Sequence, residues 1–327
     1  MIRRLAALLL VALAGQPAGA IELSFPLDCV LGETCFLQQY ADRDPGPAAR
    51  DHRCGPRTYD GHKGTDIMLP SRRAMRAGDG VAVLAAAPGV VVGLRDGMAD
   101  VPRDAPGAPP LDGRDCGNGV MLRHADGWTT QYCHMREGSV AVDKGDRVAR
   151  GARLGAVGIS GNAVVPHLHL TVRNPEGDVV DPYDARPIAE PCDAAPGKSL
   201  WADPLLLAYR QGAAVGAGVL DRMPDYAEVK DGGPHAARLP AGAGALVFWA
   251  LFIGLEEGDR ILLRLAGPEG TLLVRDAHTV PRDRAMQFRA AGRRAGGAWP
   301  TGTYRGQASL VRDGVTIDRI TARSVVE

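Results

Sequence analysis

The stretch GVMLRHADGWTTQYCHM, residues 119–135, decides the fold of the first half of this 327-residue chain. Two β-type runs, Gly119 to His124 and Trp128 to Met135, flank Ala125-Asp126-Gly127. An Asp-Gly pair between alternating runs is a strong turn signal, so the stretch predicts an antiparallel hairpin. Similar short runs separated by glycine-bearing turns extend from about residue 62 to 183. We therefore predict a mostly β, antiparallel domain over residues 61–186.

The second half of the chain changes character and then returns to β-type patterns. Residues 187–240 are first proline-rich and then glycine- and alanine-rich, and we predict a linker there. From residue 241, short β-type runs recur, with turns such as Arg312-Asp313-Gly314 between them. Their spacing is typical of a small β-sandwich, which we predict over residues 241–327.

The N-terminus has the features of a secretory signal. Arg3 and Arg4 precede an apolar stretch, Leu5 to Ala14, and small residues end it at Ala20. The alternative is a membrane anchor, but about ten apolar residues are too few to span a bilayer, and no later segment is long enough. We expect cleavage after Ala20, a periplasmic or secreted protein, and no stable membrane insertion.

Cysteine usage and charge narrow the class of protein. Six cysteines lie before residue 193, and in an oxidising compartment they suggest up to three disulfides, with 15 possible pairings. Three of them, Cys29, Cys35 and Cys54, fall in residues 21–60, so we predict a disulfide-tied N-terminal arm there. With 38 basic and 38 acidic residues, nothing indicates a nucleic-acid partner.

Histidines in three separate segments are the candidates for chemistry. His62 and Asp66 are four residues apart, and His167 and His169 are two apart, so the latter pair projects from one side of a strand. The hairpin adds His134. Neutral imidazole and carboxylate are ligands that zinc accepts, with three protein ligands in a catalytic site. The remaining histidines outside the hairpin, His52, His235 and His278, are expected at the surface.

These motifs, in this order, resemble the lysostaphin-type zinc endopeptidases, which cut peptidoglycan cross-bridges. The resemblance rests on His62 and Asp66, on Tyr132 with His134, on His167 with His169, and on the glycines between them. It covers roughly residues 60–183. It implies that His62, Asp66 and His169 bind one zinc ion, and that His134 and His167 flank the attacking water as catalytic residues. The implied substrates are stem or cross-bridge peptides of peptidoglycan.

Three residues near these motifs have open assignments. Strand alternation puts Tyr132 and His134 on one face and Cys133 on the other. Cys133 is then a core or disulfide residue rather than a thiol nucleophile, and Tyr132 either packs or borders the cleft. Asn118 is either a turn residue or a substrate contact. The proline-rich loop Asp96 to Asp115 and the segment from Gly161 to His167 depart from the family pattern and are expected to border the groove.

Two other functions remain open at this stage. Some proteins of this fold are catalytically silent and activate a separate cell-wall amidase, but they lose ligand residues, whereas every ligand position is filled here. A secreted peptidase acting on proteins is the other alternative. The C-terminal domain is a binding module for wall polymer or a protein partner, or a packing domain; its sequence names no ligand.

Overall fold

The computed structural model describes residues 20–194 and 197–327. It is mostly β, with 40% strand and 6% helix, as the sequence predicts. The two α-helices are short, α1 (Arg72–Arg76) and α2 (Tyr226–Gly232). Except for Ala20, the predicted signal segment lies outside the described residues. No helix in the described part of the chain combines the length and apolar character that crossing a bilayer requires.

The first half of the chain forms an eight-stranded antiparallel sheet and a small two-stranded one. The large sheet has the order β1-β2-β9-β6-β5-β4-β7, with β10 paired to β9, and β3 pairs with β8. The strands are β1 (Phe36–Gln39), β2 (Thr65–Met68), β3 (Ala82–Leu84), β4 (Gly89–Arg95), β5 (Asn118–Arg123), β6 (Thr129–Met135), β7 (Arg147–Val148), β8 (Arg153–Ala156), β9 (His167–Arg173) and β10 (Val179–Val180).

The predicted hairpin is the pair of β5 and β6. Asp126 and Gly127 both have positive φ, at 56° and 86°, in the turn between them. Glycine tolerates positive φ because it has no Cβ, and aspartate adopts it more readily than most other residues, so the turn forms where the Asp-Gly signal places it.

The N-terminal arm is irregular except for β1, which extends the large sheet at its edge by pairing with β2. Disulfides hold it as the cysteine count suggests: Cys29 pairs with Cys35 inside the arm, and Cys54 pairs with Cys192 after the domain. The third disulfide joins Cys116 and Cys133. The arm therefore completes the sheet that carries the candidate site.

The C-terminal part consists of two sheets that enclose a second core. One sheet has the order β11-β13-β16, and the other has the order β12-β18-β17-β14-β15. The strands are β11 (Ala213–Leu220), β12 (Arg238–Leu239), β13 (Ala245–Leu255), β14 (Arg260–Ala266), β15 (Leu272–Thr279), β16 (Arg284–Arg294), β17 (Gly302–Arg312) and β18 (Val315–Val326).

The predicted linker, residues 187–240, is only partly a linker, because β11, α2 and β12 lie within it. The glycines of β11 have a packing reason that composition alone does not reveal. A Cβ on Gly218 would lie 2.5 Å from Nε1 of Trp249, so this strand needs small residues to admit the indole. The domain boundaries themselves stay a prediction.

Strand β13 is buried on both faces. Phe248 and Phe252 point into the core between the two C-terminal sheets. Trp249, Leu251 and Ile253 point the other way, into an apolar cluster that includes Phe36, Met68 and Val165 of the first half. A strand covered on both sides reads as a continuous apolar run, which explains the sequence ALVFWALFIGL. We call this cluster the shared apolar layer; it joins the sandwich to β1, β2 and the segment before His167.

Candidate metal centre

His62, Asp66 and His169 converge at one point of the large sheet. Asp66 on β2 and His169 on β9 are direct cross-strand partners, so their side chains share a face. His62 lies in the loop that leads into β2. Its Nε2 is 3.1 Å from Oδ1 of Asp66 and 3.1 Å from Nδ1 of His169, and the last two atoms are 2.8 Å apart. The three residues form a group suited to hold a metal ion.

Hydrogen bonds on the far side of each imidazole leave the inner nitrogen free for a metal. Nδ1 of His62 lies 2.6 Å from the carbonyl oxygen of Tyr40, to which it donates. Nε2 of His169 lies 3.0 Å from Oγ1 of Thr171. Tetrahedral zinc with bonds of about 2.0–2.1 Å needs ligand atoms about 3.3 Å apart. The separations of 3.1, 3.1 and 2.8 Å among the three candidate ligand atoms lie within about half an ångström of that value.

The charge balance also suits a cation. Burial alone would raise the pKa of Asp66, but His62, His167 and His169 hold it well below its ordinary value, so the carboxylate is ionised. Burial lowers the pKa of His169, which keeps that imidazole available as a neutral ligand. Burial alone would lower the pKa of His62, but the attraction of the Asp66 carboxylate outweighs burial and raises it.

Gly64 is required by this packing. A Cβ at this position would lie 2.8 Å from Nε2 and Cε1 of His169 and 2.6 Å from the carbonyl oxygen of Leu170. The glycine in the motif between His62 and Asp66 therefore makes room for the third candidate ligand.

His134 and His167 flank the three converging residues. Nε2 of His167 is 3.8 Å from Oδ1 of Asp66, and its Nδ1 is 2.9 Å from the carbonyl oxygen of Val165. The ring centroids of His134 and His167 are 4.6 Å apart, and those of His134 and His169 are 5.9 Å apart. The structure thus brings all five candidate residues from β2, its preceding loop, β6 and β9 into one site.

The alternation argument for β6 is wrong, because a β-bulge interrupts the strand. The register with β5 shifts so that Cys133 and His134 together face Gly119. His134 has a φ of 61°, which is uncommon for a residue other than glycine. Cys133 is the cross-strand partner of His169 and so lies on the site's face. The bulge thus turns two consecutive residues toward the site, and backbone strain sits at a candidate catalytic residue.

Tyr132 faces the opposite way, into the core. It is fully buried, and its hydroxyl accepts a hydrogen bond from the backbone N–H of Ala86 at 2.8 Å. The packing alternative therefore holds for Tyr132. Cys133 is a disulfide residue, as expected, despite its unexpected face.

Asn118 is a strand residue rather than a turn residue. It starts β5 and is completely buried. Its amide exchanges two hydrogen bonds with the backbone of Met98, at 2.8 and 2.7 Å. Asp100 accepts a hydrogen bond from the N–H of Ile159 at 2.8 Å. The long loop Asp96 to Asp115 is thereby hydrogen-bonded to β5 and to the segment that leads to His167. That it borders the groove stays a prediction.

Sequence reasoning missed the residues that orient the histidines. The carbonyl oxygen of Ser160 accepts from Nδ1 of His134 at 2.8 Å, and the carbonyl oxygen of Tyr40 accepts from Nδ1 of His62. For His169 the acceptor is the hydroxyl oxygen of Thr171, which lies against Nε2. Two of these three groups are backbone carbonyls, which any residue type provides. No side-chain signal could have located these two carbonyls, whereas strand alternation already places Thr171 on the same face as His169.

His52 is not a surface residue. Its ring stacks on Tyr183 with centroids 4.6 Å apart, and Nδ1 lies 3.7 Å from Oδ2 of the fully buried Asp181. The polar composition of the surrounding arm is misleading here, because the arm folds against the end of the first domain.

Residues 60–182 match the family model described as Peptidase family M23, so this segment is an M23 domain. The chain is 42% identical over 57 residues to the cell division protein DipM of Caulobacter vibrioides, which is 17% of this chain and 9% of that protein. It is 32% identical over 109 residues to the peptidoglycan DD-endopeptidase ShyA of Vibrio cholerae, which is 33% of this chain and 19% of that protein.

The matched segments thus span less than a fifth of these two relatives. Among solved structures, a mutant catalytic domain of the prophage-encoded M23 protein EnpA from Enterococcus faecalis is 24% identical. That match covers 44% of this chain and 84% of the other, with a TM-score of 0.30.

Proposed function

We propose that the M23 domain at residues 60–182 is a zinc-dependent endopeptidase that hydrolyses peptide bonds in peptidoglycan cross-links. The observation that carries the proposal is the convergence of His62, Asp66 and His169 within hydrogen-bonding distance of one another, with two further histidines beside them. The substrate class is supported by the relative named as a peptidoglycan DD-endopeptidase.

His62, Asp66 and His169 would hold the zinc ion through Nε2, a carboxylate oxygen and Nδ1. When bound, zinc supplies a Lewis acid for the scissile carbonyl and lowers the pKa of a water molecule toward neutrality. The chain's own contribution is to fix those three atoms. Each imidazole has its outer nitrogen committed to Tyr40 or Thr171, so neither ring can rotate without losing a hydrogen bond.

His134 and His167 supply two further imidazoles for proton transfer. Both Nδ1 atoms donate to backbone carbonyls, of Ser160 and Val165, which leaves each Nε2 with a free lone pair. Burial, followed by the nearby His167 and His169, lowers the pKa of His134 well below its ordinary value. His134 is therefore neutral near pH 7 and able to accept a proton or to hydrogen-bond an attacking water.

The non-catalytic alternative, a partner that activates a wall amidase, predicts loss of one or more ligand residues. This chain keeps all five residues in one site, which favours hydrolysis. A peptidase that acts on proteins would use the same five residues, so substrate digestion separates that alternative from ours.

We also propose that the protein works outside the cytoplasm. The signal-like N-terminus predicts export, and three disulfides are typical of proteins in oxidising compartments. Peptidoglycan is accessible there.

The test is zinc quantification together with digestion of purified peptidoglycan. Wild type should hold about one zinc ion and release cross-link products. His62→Ala should lose zinc and activity, His134→Ala should keep zinc and lose most of its rate, and His278→Ala, outside the site, should match wild type. A metal-free, inactive wild type that stimulates an amidase would replace our proposal, as would cleavage of proteins but not of peptidoglycan.

A further inference from the structure

The outer face of the five-stranded C-terminal sheet carries a concentration of arginines. Alternate residues of β14, β17 and β18 point into the second core, so the residues between them face outward. The arginine face, as we call it, is formed by exposed side chains on four adjacent strands: Arg260, Arg264, Arg275, Arg305, Arg319 and Arg323.

The register places like charges directly opposite each other. Arg264 on β14 is the cross-strand partner of Arg275 on β15, and Arg305 on β17 is the partner of Arg323 on β18. Like charges in such pairs destabilise a sheet. Within the described residues, none of the six arginines forms an ion pair. The nearest acidic residue in β15, Asp276, pairs with Arg289 of the other sheet instead. The face thus holds uncompensated positive charge.

A shallow depression lies where three of these arginines surround smaller residues. It has a volume of about 570 Å³ and is lined by Arg264, Arg305 and Arg323 together with Ala266, Gln307 and Thr321. Gln307 is the cross-strand partner of both Arg264 and Thr321, so an amide and a hydroxyl lie beside the guanidinium groups. The depression offers hydrogen-bond donors of several kinds and no carboxylate.

We propose that the arginine face binds the carboxylates of peptidoglycan stem peptides and so holds the enzyme on its polymeric substrate. This inference rests on the proposed function for its choice of anion. Guanidinium groups match carboxylates geometrically and bind them through paired hydrogen bonds. A polymer with a carboxylate on each stem peptide engages several arginines at once, which strengthens binding by multivalency. The depression lacks the large apolar side chains that peripheral membrane binding uses, which favours the polymer over a lipid surface.

The test measures binding to purified sacculi in the His134→Ala background, so that the substrate is not digested. We expect the triple variant Arg264→Gln, Arg305→Gln and Arg323→Gln to raise the Kd at least tenfold. The matched control, Arg284→Gln, Arg293→Gln and Arg294→Gln, removes three exposed arginines from β16 and should bind like its parent. Sacculi whose carboxyls have been amidated should bind as weakly as the triple variant binds native sacculi.

Separate measurements keep this inference distinct from the proposed function. With His134 intact, the triple variant should hydrolyse a short soluble cross-linked muropeptide at the wild-type rate and digest intact sacculi more slowly. Failure of wild type to cut any muropeptide would refute the endopeptidase proposal and leave the binding result standing. Equal binding by the triple variant and the control, undiminished binding to amidated sacculi, or arginine-dependent binding to anionic phospholipid vesicles alone would overturn the arginine-face proposal.

Discussion

Nδ1 of His134 lies 2.8 Å from the carbonyl oxygen of Ser160, while the hydroxyl of Ser160 donates to the carbonyl of Met135 at 2.7 Å. One residue thus holds both His134 and the end of its strand. The same hydroxyl accepts a hydrogen bond from the buried N–H of Asn118 at 2.9 Å.

Replacing Ser160 by Ala should therefore slow catalysis without emptying the metal site. The N–H of Asn118 would lose its partner, at a cost of about 1–3 kcal/mol, and the carbonyl that orients His134 would be less firmly placed. We expect kcat to fall several-fold and zinc content to stay at the wild-type level. Ser24→Ala, which removes a hydroxyl that donates to the carbonyl of Ala86, is the control. Zinc loss in Ser160→Ala would contradict the assignment.

Thr171 should tune metal affinity through His169. Thr171→Val keeps the shape of the side chain but removes the oxygen that accepts from Nε2 of His169 at 3.0 Å. Loss of such a partner typically weakens metal binding about 10–100-fold. Thr171→Ser keeps the hydroxyl and should stay near wild type. Competition with a zinc chelator measures the difference, and equal affinities in both variants would show that this hydrogen bond does not support the ligand.

The three disulfides should differ in what they stabilise. They close loops of 6, 17 and 138 residues, for Cys29–Cys35, Cys116–Cys133 and Cys54–Cys192. Loop entropy then predicts contributions to the free energy of unfolding of about 2, 3 and 5 kcal/mol. Double Cys→Ala variants unfolded in denaturant test this order. Only removal of Cys116–Cys133 should also reduce activity, because Cys133 adjoins His134 in the bulge; full activity there would argue against a role for this disulfide in the site.

The buried pair of His52 and Asp181 should give opposing pH dependences of stability. Burial raises the pKa of Asp181 to about 7, so between pH 4 and 7 the folded state binds more protons and its stability falls as pH rises. Burial lowers the pKa of His52 to about 4, so between pH 4 and 6.5 the unfolded state binds more protons and stability rises with pH.

Substituting each partner should expose the contribution of the other. Relative to wild type, Asp181→Asn should gain stability as pH rises from 4 to 7, and His52→Phe should lose it. The slope for one proton is at most about 1.4 kcal/mol per pH unit. Unfolding free energies at pH 4, 5, 6 and 7 measure both differences. Variant curves that run parallel to wild type would show that neither group has a shifted pKa.

Sequence patterns were most informative where local chemistry determines structure. The Asp-Gly pair predicts the turn and the antiparallel hairpin, because few other residue pairs favour positive φ at two consecutive positions. The histidine motifs predict the site, because few functions other than metal binding require this spacing. The bulge at His134 was not predictable, because it depends on Gly119 of the neighbouring strand. A Cβ on Gly119 would lie 2.4 Å from the carbonyl oxygen of Tyr132, a contact visible only in three dimensions.

Tertiary packing explains the other departures. The glycine-rich strand β11 resembles a linker until Trp249 is placed against it, and His52 resembles a surface residue until the arm folds over it. In both cases a partner distant in sequence determines the structure, so no local window contains the information.

The shared apolar layer makes the two halves of this chain interdependent in a practical sense. A truncation between residues 187 and 240 would expose Trp249, Leu251 and Ile253 on one fragment and Phe36, Met68 and Val165 on the other. Each fragment would expose an apolar surface beside an unpaired strand edge, and both features promote aggregation. Fusing the M23 domain to a different binding module would therefore require redesign of this layer, because the two halves do not form independent units.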